Sequence, residues 1–174
     1  MRRVAIAAAT LAVAGCASNA PQQARQYAEA PAPRAAAASA ATYVAVAGSI
    51  DLFEIRSSEL ANLRSVTPAI RQYADRMIAD HRGLASQLSL AGRRLDLLPS
   101  AALLPQHQAM LDELAASTNF EAAYLRLQRQ VHGQGLALHG DYASRGTSAT
   151  LRPVAANAAA VERRHLEMLR DLRP

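Results

Sequence analysis

Hydrophobic residues recur every three or four positions between residues 70 and 88, and this spacing predicts an amphipathic helix. The apolar stripe of that helix consists of Ile70, Ala74, Met77, His81, Leu84 and Leu88. Every member of the stripe is hydrophobic except His81. Because the apolar face of such a helix packs against the core, the pattern places the imidazole of His81 in the protein interior.

Three other predicted helices repeat this arrangement. Glu54, His132 and His165 each interrupt an otherwise apolar or small-residue stripe near the middle of a helix. In an antiparallel bundle the midpoints of neighbouring helices lie at about the same height, so these side chains and that of His81 should meet in one layer. We therefore predict an antiparallel four-helix bundle with a polar layer in its core.

Capping residues and prolines set the ends of the predicted helices. Thr42 is suited to cap the first helix, and Pro68 is suited to open the second. Two prolines break the periodicity between residues 93 and 105, and a short extra helix follows before the third long helix. The predicted helices span residues 42–64, 68–92, 106–116, 119–145 and 148–172.

Two pairs of residues within these helices lead to separate predictions. Gly133 and Gly135 lie near the middle of the third long helix, where each costs about 1 kcal/mol of helix preference. Such glycines indicate the close approach of another backbone or of a bound group. His107 and His139 fall outside the shared layer, and we expect both to lie on the surface.

The composition supports an all-α domain and argues against nucleic-acid binding. Hydrophobic residues make up 51% of the 174 residues but aromatic residues only 4%, which suits one domain with a core of alanine, leucine and valine. The formal charge is +5, or +3 once Arg2 and Arg3 are subtracted with the segment that we expect to be removed. The chain contains no lysine, and its arginines are scattered among acids where a nucleic-acid surface would need them clustered.

The first sixteen residues, MRRVAIAAATLAVAGC, have the charged start and short apolar run of a secretory signal. The end of this segment resembles a bacterial lipoprotein signal, in which the cysteine is lipidated and becomes the new N-terminus. We expect a signal peptide at residues 1–15 and acyl chains on Cys16 that bind the membrane. Ala17 resembles the pattern that sends Gram-negative lipoproteins to the outer membrane, facing the periplasm. In the alternative, a generic signal peptide leaves Cys16 as an ordinary thiol.

The segment that follows is rich in alanine, proline and glutamine. It contains almost no large apolar side chains, so it cannot bury enough surface to offset its ordering entropy. We expect residues 16–41 to form a lipidated, disordered tether and residues 42–174 to form the bundle domain.

Four pieces of the chain, SIDLFEIRSSELA, AIRQYADRMIADH, FEAAYLRLQRQVHGQ and HLEML, resemble the domain-of-unknown-function 4142 family. These are bacterial envelope proteins described as predicted outer-membrane proteins with a ferritin-like four-helix fold. The resemblance covers residues 43–172. One departure is Ala160, where members often carry a proline. The resemblance implies the bundle, the envelope location and no established reaction, with a preserved set at Glu54, Asp80, His81, His132 and His165.

The polar layer matches a ferritin-like metal site only in part. Such sites take one glutamate from each of two helices and a Glu-x-x-His pair from each of the other two. Glu162 and His165 form one such pair, but Ile78 stands three residues before His81, which argues against a carboxylate-rich di-iron site. Asp80 lies about a third of a turn from His81 and should face a neighbouring helix or water. A single iron, zinc, copper or manganese ion could still be held by Glu54, His81, His132, Glu162 and His165.

Three functional interpretations remain open from the sequence. In the first, the polar groups form a ligand-free hydrogen-bonded cluster in a non-enzymatic structural, stress or interaction protein of the envelope. In the second, they bind or oxidise a metal ion, and in the third they bind another small ligand. The chain shows no glycine-rich phosphate loop and no nucleophile-elbow serine, so no catalytic residues are predicted. No protein partner can be identified from the sequence.

Overall fold

The structure is a computed structural model that describes residues 38–174, and within this range it contains five helices and no strand. The predicted all-helical class is confirmed. The signal peptide at residues 1–15, Cys16 and nearly all of the tether lie outside the described residues. The helices are α1 (Ala40–Arg64), α2 (Pro68–Arg93), α3 (Pro105–Ala116), α4 (Phe120–Arg145) and α5 (Arg152–Met168).

The helix ends follow local chemistry, and only α1 and α5 differ from the predicted ranges by more than one residue. Ser39, and not Thr42, caps α1, because its hydroxyl accepts a hydrogen bond from the Thr42 N–H at 3.1 Å. The alanine-rich sequence before Thr42 favours helix, so α1 extends back to the next capping side chain. Helix α5 is four residues shorter than predicted at each end, and Pro153 lies in its first turn.

The four long helices pack so that each is antiparallel to its two neighbours. On α1 and α2, Asp51 contacts His81 while Asn62 contacts Asp75, so residue numbers rise along one helix as they fall along the other. Helix α1 also packs on α4, and α5 packs on both α4 and α2, which encloses a common interior. The short helix α3 packs against α1 and α4.

Hydrophobic residues fill this interior above and below a polar layer. One core cluster includes Ile70 of α2 and Phe120 of α4, and another includes Leu88 of α2 and Tyr142 of α4. His81 of α2 lies between the two clusters. The middle segments of the other long helices also lie between them. No helix within residues 38–174 is both long and apolar enough to cross a membrane.

Candidate metal centre

Four side chains from three helices converge in the polar layer. They are His81 of α2, His132 of α4, and Glu162 and His165 of α5. Each offers one nitrogen or oxygen atom, and these atoms all lie within 4.8 Å of one another. Three of the four residues are 0% exposed and His165 is 1% exposed. These are four of the five residues that the sequence proposes as ligands.

Two aspartates each contact a histidine of the layer at the ring nitrogen that faces away from the converging atoms. Asp51 Oδ1 lies 2.9 Å from His81 Nδ1, and the opposite nitrogen, His81 Nε2, is buried without a hydrogen-bond partner. Asp80 Oδ2 accepts a hydrogen bond from His165 Nε2 at 2.9 Å, so Nδ1 of that ring keeps its lone pair. Carboxylates commonly fix the tautomer and orientation of metal-binding histidines in this way.

Asp80 reaches the layer from the edge of the bundle. Its side chain is 22% exposed and also accepts a hydrogen bond from Arg76 Nε at 2.7 Å. Partial burial acts to raise the pKa of Asp80, but the hydrogen bonds from His165 and Arg76 lower it below its usual value, so the carboxylate stays ionised. The position of Asp80, between a neighbouring helix and solvent, is the one predicted.

His132 and His165 face each other with unprotonated nitrogens. His132 Nδ1 donates to the carbonyl oxygen of Gln128 at 2.8 Å, so the proton of this ring is on Nδ1 and the lone pair is on Nε2. His132 Nε2 lies 3.1 Å from His165 Nδ1, which also carries a lone pair. Burial lowers the pKa of His165 to about 4 and that of His132 well below its usual value, so neither ring carries a second proton at neutral pH.

Glu162 lies against these rings without a hydrogen bond. Both of its carboxylate oxygens are buried and unpartnered. Oε2 lies 3.7 Å from His132 Nε2 and Oε1 lies 3.8 Å from His139 Nε2, both beyond hydrogen-bond distance. Burial raises the pKa of Glu162 well above its usual value, and the nearby carboxyl groups of Glu54 and Asp51 raise it further.

Gly135 makes room for the Glu162 carboxylate. A Cβ atom at Gly135 would lie 2.6 Å from Glu162 Oε1, closer than such contacts allow. The close approach predicted from the mid-helix glycines therefore occurs at Gly135, where the approaching group is a side chain. At Gly133 the prediction is wrong, because a Cβ there meets nothing within 4 Å.

Glu54 lies in the layer but outside the converging set. Its Oε1 is 3.3 Å from His132 Nδ1, on the side of the ring that faces away from His165, and its Oε2 accepts from Gln128 Nε2 at 2.5 Å. Burial raises the pKa of Glu54, although the hydrogen bond from Gln128 acts in the opposite direction. Glu54 thus contacts the back of His132 in this structure.

The predicted surface positions of His107 and His139 are wrong, because both residues are only 2% exposed. His139 lies seven residues after His132, on the same face of α4, and its Nδ1 lies 3.0 Å from the Tyr43 hydroxyl. His107 lies on α3, which packs against α1 and brings its Nδ1 within 2.7 Å of Ser49 Oγ. The seven-residue spacing could have identified His139, whereas His107 depends on where α3 docks.

Asp51 and Gln128 contact candidate residues of the polar layer, and the site predicted from the sequence does not include them. Asp51 precedes Glu54 by three residues and is 3% exposed, and Gln128 precedes His132 by four residues and is 0% exposed. Both spacings place the residue on the same helix face as a residue that the sequence already assigns to the polar layer. This helical spacing is the signal that could have identified them.

Comparison with known proteins assigns the chain to a family. The chain matches the family model "Domain of unknown function (DUF4142)" over residues 21–172. No curated protein matches it. A solved structure described as "CopM in the Cu(II)-bound form" is similar with a TM-score of 0.66 and 14% sequence identity, over 77% of this chain and 95% of that one. At this identity the likeness shows the fold, and the family match shows that the chain belongs to the domain-of-unknown-function 4142 family.

Proposed function

We propose that this protein binds a transition-metal ion in the interior of its helical domain. The ligand atoms are His81 Nε2, His132 Nε2, His165 Nδ1 and one oxygen of Glu162. Three imidazoles and one carboxylate form a recognised four-ligand set for zinc, copper or iron. When bound, the ion would supply the positive charge that the lone pairs and the carboxylate of this site require.

The approach of His132 Nε2 to His165 Nδ1 carries the proposal. The protons of both rings are already on the far nitrogens, held by Gln128 and Asp80, so no hydrogen bond can form across the 3.1 Å between them. Two lone pairs at this distance repel unless a cation lies between them. Two nitrogens that each lie about 2.0–2.1 Å from one tetrahedral ion are separated by roughly 3.3 Å, close to the observed distance.

A ligand-free hydrogen-bonded cluster accounts for less of the geometry. Such a cluster is stable when its members satisfy one another. Here His81 Nε2 and both oxygens of Glu162 remain buried without partners. In the proposal the ion becomes the missing partner of His81 Nε2 and of one Glu162 oxygen.

The proposal agrees with the ferritin-like description in two respects, which are the arrangement of the helices and the Glu162-x-x-His165 pair. The histidine-rich set favours metal held mainly by imidazoles over the carboxylate-rich site used for oxidation. We therefore propose a metal-holding, non-enzymatic role. The similar CopM structure was determined with Cu(II), which makes copper the first ion to test.

We further propose that Cys16 anchors the protein to the outer membrane, with the domain in the periplasm. Its support is the lipoprotein-like sequence at residues 1–16 and the absence of any other cysteine. Replacing Cys16→Ser should release the protein from the membrane fraction of a Gram-negative host. Continued membrane retention of the variant would refute the anchor.

Metal uptake tests the main proposal directly. The full chain, purified without metal, is dialysed against buffered Cu²⁺ or Zn²⁺, and bound metal is measured by elemental analysis. At least one tightly bound equivalent is expected in the wild type, and this equivalent should be lost in His132→Gln. The matched control is His107→Gln, another buried histidine outside the site, which should retain it. Absence of uptake by the wild type would overturn the proposal.

A further inference from the structure

We propose a second cation subsite next to the first, formed by His139 Nε2, Glu162 Oε1 and Asp51. In this arrangement Glu162 bridges two ions, with one oxygen toward each. The inference rests on the proposed function, since Glu162 is common to both positions.

The orientation of Glu162 is the first observation. Its two oxygens face two different histidines, Oε2 toward His132 Nε2 at 3.7 Å and Oε1 toward His139 Nε2 at 3.8 Å. Two ligand atoms that each lie about 2.0–2.2 Å from one metal ion can be as much as roughly 4 Å apart. Both distances are therefore too long for hydrogen bonds but suitable for a shared ion. A carboxylate placed in this way can bind one ion on each side.

The second observation is the state of His139. Its Nε2 is buried and has no hydrogen-bond partner, although its Nδ1 is paired with the Tyr43 hydroxyl at 3.0 Å. When Nδ1–H donates to the phenol oxygen, the lone pair of the ring is on Nε2 and faces Glu162. Tyr43 thus orients His139 as Asp51 orients His81.

A small cavity borders both His139 and Asp51, and Glu162 is not part of its lining. Its volume is about 10 Å³, about enough for one water molecule or one small ion. Its polar lining comes from Tyr43, Asp51 and His139, and its remaining lining is apolar. Asp51, whose Oδ1 is paired with His81, therefore also borders the space beside His139.

Copper stoichiometry and spectroscopy test the second subsite. We expect the metal-free full chain to bind two equivalents of Cu²⁺ and His139→Gln to bind one, with His107→Gln as the control that retains two. Because a bridging carboxylate couples the two ions, the electron paramagnetic resonance signal of the doubly loaded wild type should be weakened or broadened. The singly loaded His139→Gln variant should give the signal of one isolated ion.

A second variant separates the ligand from the residue that orients it. Tyr43→Phe removes the hydroxyl but leaves His139 in place, so it should still bind two equivalents, the second more weakly than in the wild type. One equivalent in the wild type, with an isolated-ion signal, would overturn the second subsite and leave the first intact. No equivalent in the wild type would overturn both proposals.

Discussion

Two buried histidine environments in this domain differ in whether their hydrogen bonds are complete. At the α1–α3 contact, Ser49 Oγ accepts from the Leu104 N–H at 2.8 Å and pairs with His107 Nδ1 at 2.7 Å. The serine hydroxyl and the His107 ring nitrogen share one hydrogen bond, which completes a local network that links α3 to α1. In the polar layer, by contrast, His81 Nε2 and both oxygens of Glu162 have no partner.

The difference shows that burial of a histidine does not by itself indicate a ligand site. His107 is buried, and no ring atom of it is both buried and unpartnered. Its role is therefore explained by packing. Leaving a polar atom unpaired in the interior costs about 1–3 kcal/mol, and in the proposed function a metal ion is the partner that the polar layer lacks.

The largest expected effect is stabilisation by metal in the polar layer. Free Cu²⁺ at 100 times its dissociation constant should add about 2.7 kcal/mol to the free energy of unfolding. For a domain of this size, the melting temperature should rise by roughly 5–10 °C, which thermal denaturation followed by circular dichroism can measure. Glu162→Gln should remove most of the rise, and Glu59→Gln, at an exposed glutamate, should keep it. An equal rise in wild type and Glu162→Gln would contradict the assignment.

A somewhat smaller effect is expected for the aspartate behind His81. Asp51→Asn keeps an oxygen that can accept from His81 Nδ1–H but removes the charge that strengthens the ring as a ligand. Affinity for the tightly bound ion should fall about 10–100-fold, as measured by competition with a chelator. Asp75→Asn changes an aspartate that contacts Asn62 at an exposed position and serves as the control. Equal affinities in the two variants would show that Asp51 does not support the site.

A change in the hydrogen-bond network of Ser49 and His107 should lower stability and leave metal binding unchanged. Ser49→Ala removes the hydroxyl that links His107 to the backbone of Leu104, so the free energy of unfolding should fall by about 1–2 kcal/mol in urea denaturation. Metal stoichiometry should stay at the wild-type value. A loss of bound metal in Ser49→Ala would mean that the two environments are coupled.

The smallest expected effect separates two glycines of α4. Gly133→Ala should raise the free energy of unfolding of the metal-free protein by about 1 kcal/mol, because alanine favours helix and the position is open. In Gly135→Ala the new methyl group meets Glu162, so the same gain is offset and metal affinity should fall. Chemical denaturation and metal titration of both variants give the comparison. Equal behaviour of the two would show that Glu162 moves aside freely.

The polar layer could be predicted from the sequence because each of its histidines interrupts an apolar stripe. His81 among leucines and a methionine has no position on its helix other than the interior. The same spacing rule extends to His139, seven residues after His132, but a single layer at the helix midpoints leaves that residue outside it and so predicts a surface position. The structure shows that polar groups occupy about two further turns of α4.

Other features depend on how the helices pack and could not be obtained from one helix at a time. His107 is buried only because α3 lies against α1, and the periodicity of a twelve-residue helix does not determine where it docks. Glu54 was correctly placed in the interior, but which face of His132 it contacts depends on the relative rotation of α1 and α4. The cap at Ser39 was missed because two capping residues, Ser39 and Thr42, lie close together.

The position of Asp80 bears on how fast an ion could be exchanged. This carboxylate touches His165 on its inner side and water on its outer side, whereas the converging ligand atoms are closed off from solvent. An ion held among them as proposed would leave only when the bundle opens locally, and its residence time would follow the rate of that opening. A bundle built in this way would keep its bound ion when the surrounding medium is diluted. This behaviour suits a storage protein better than a carrier that exchanges its ion rapidly.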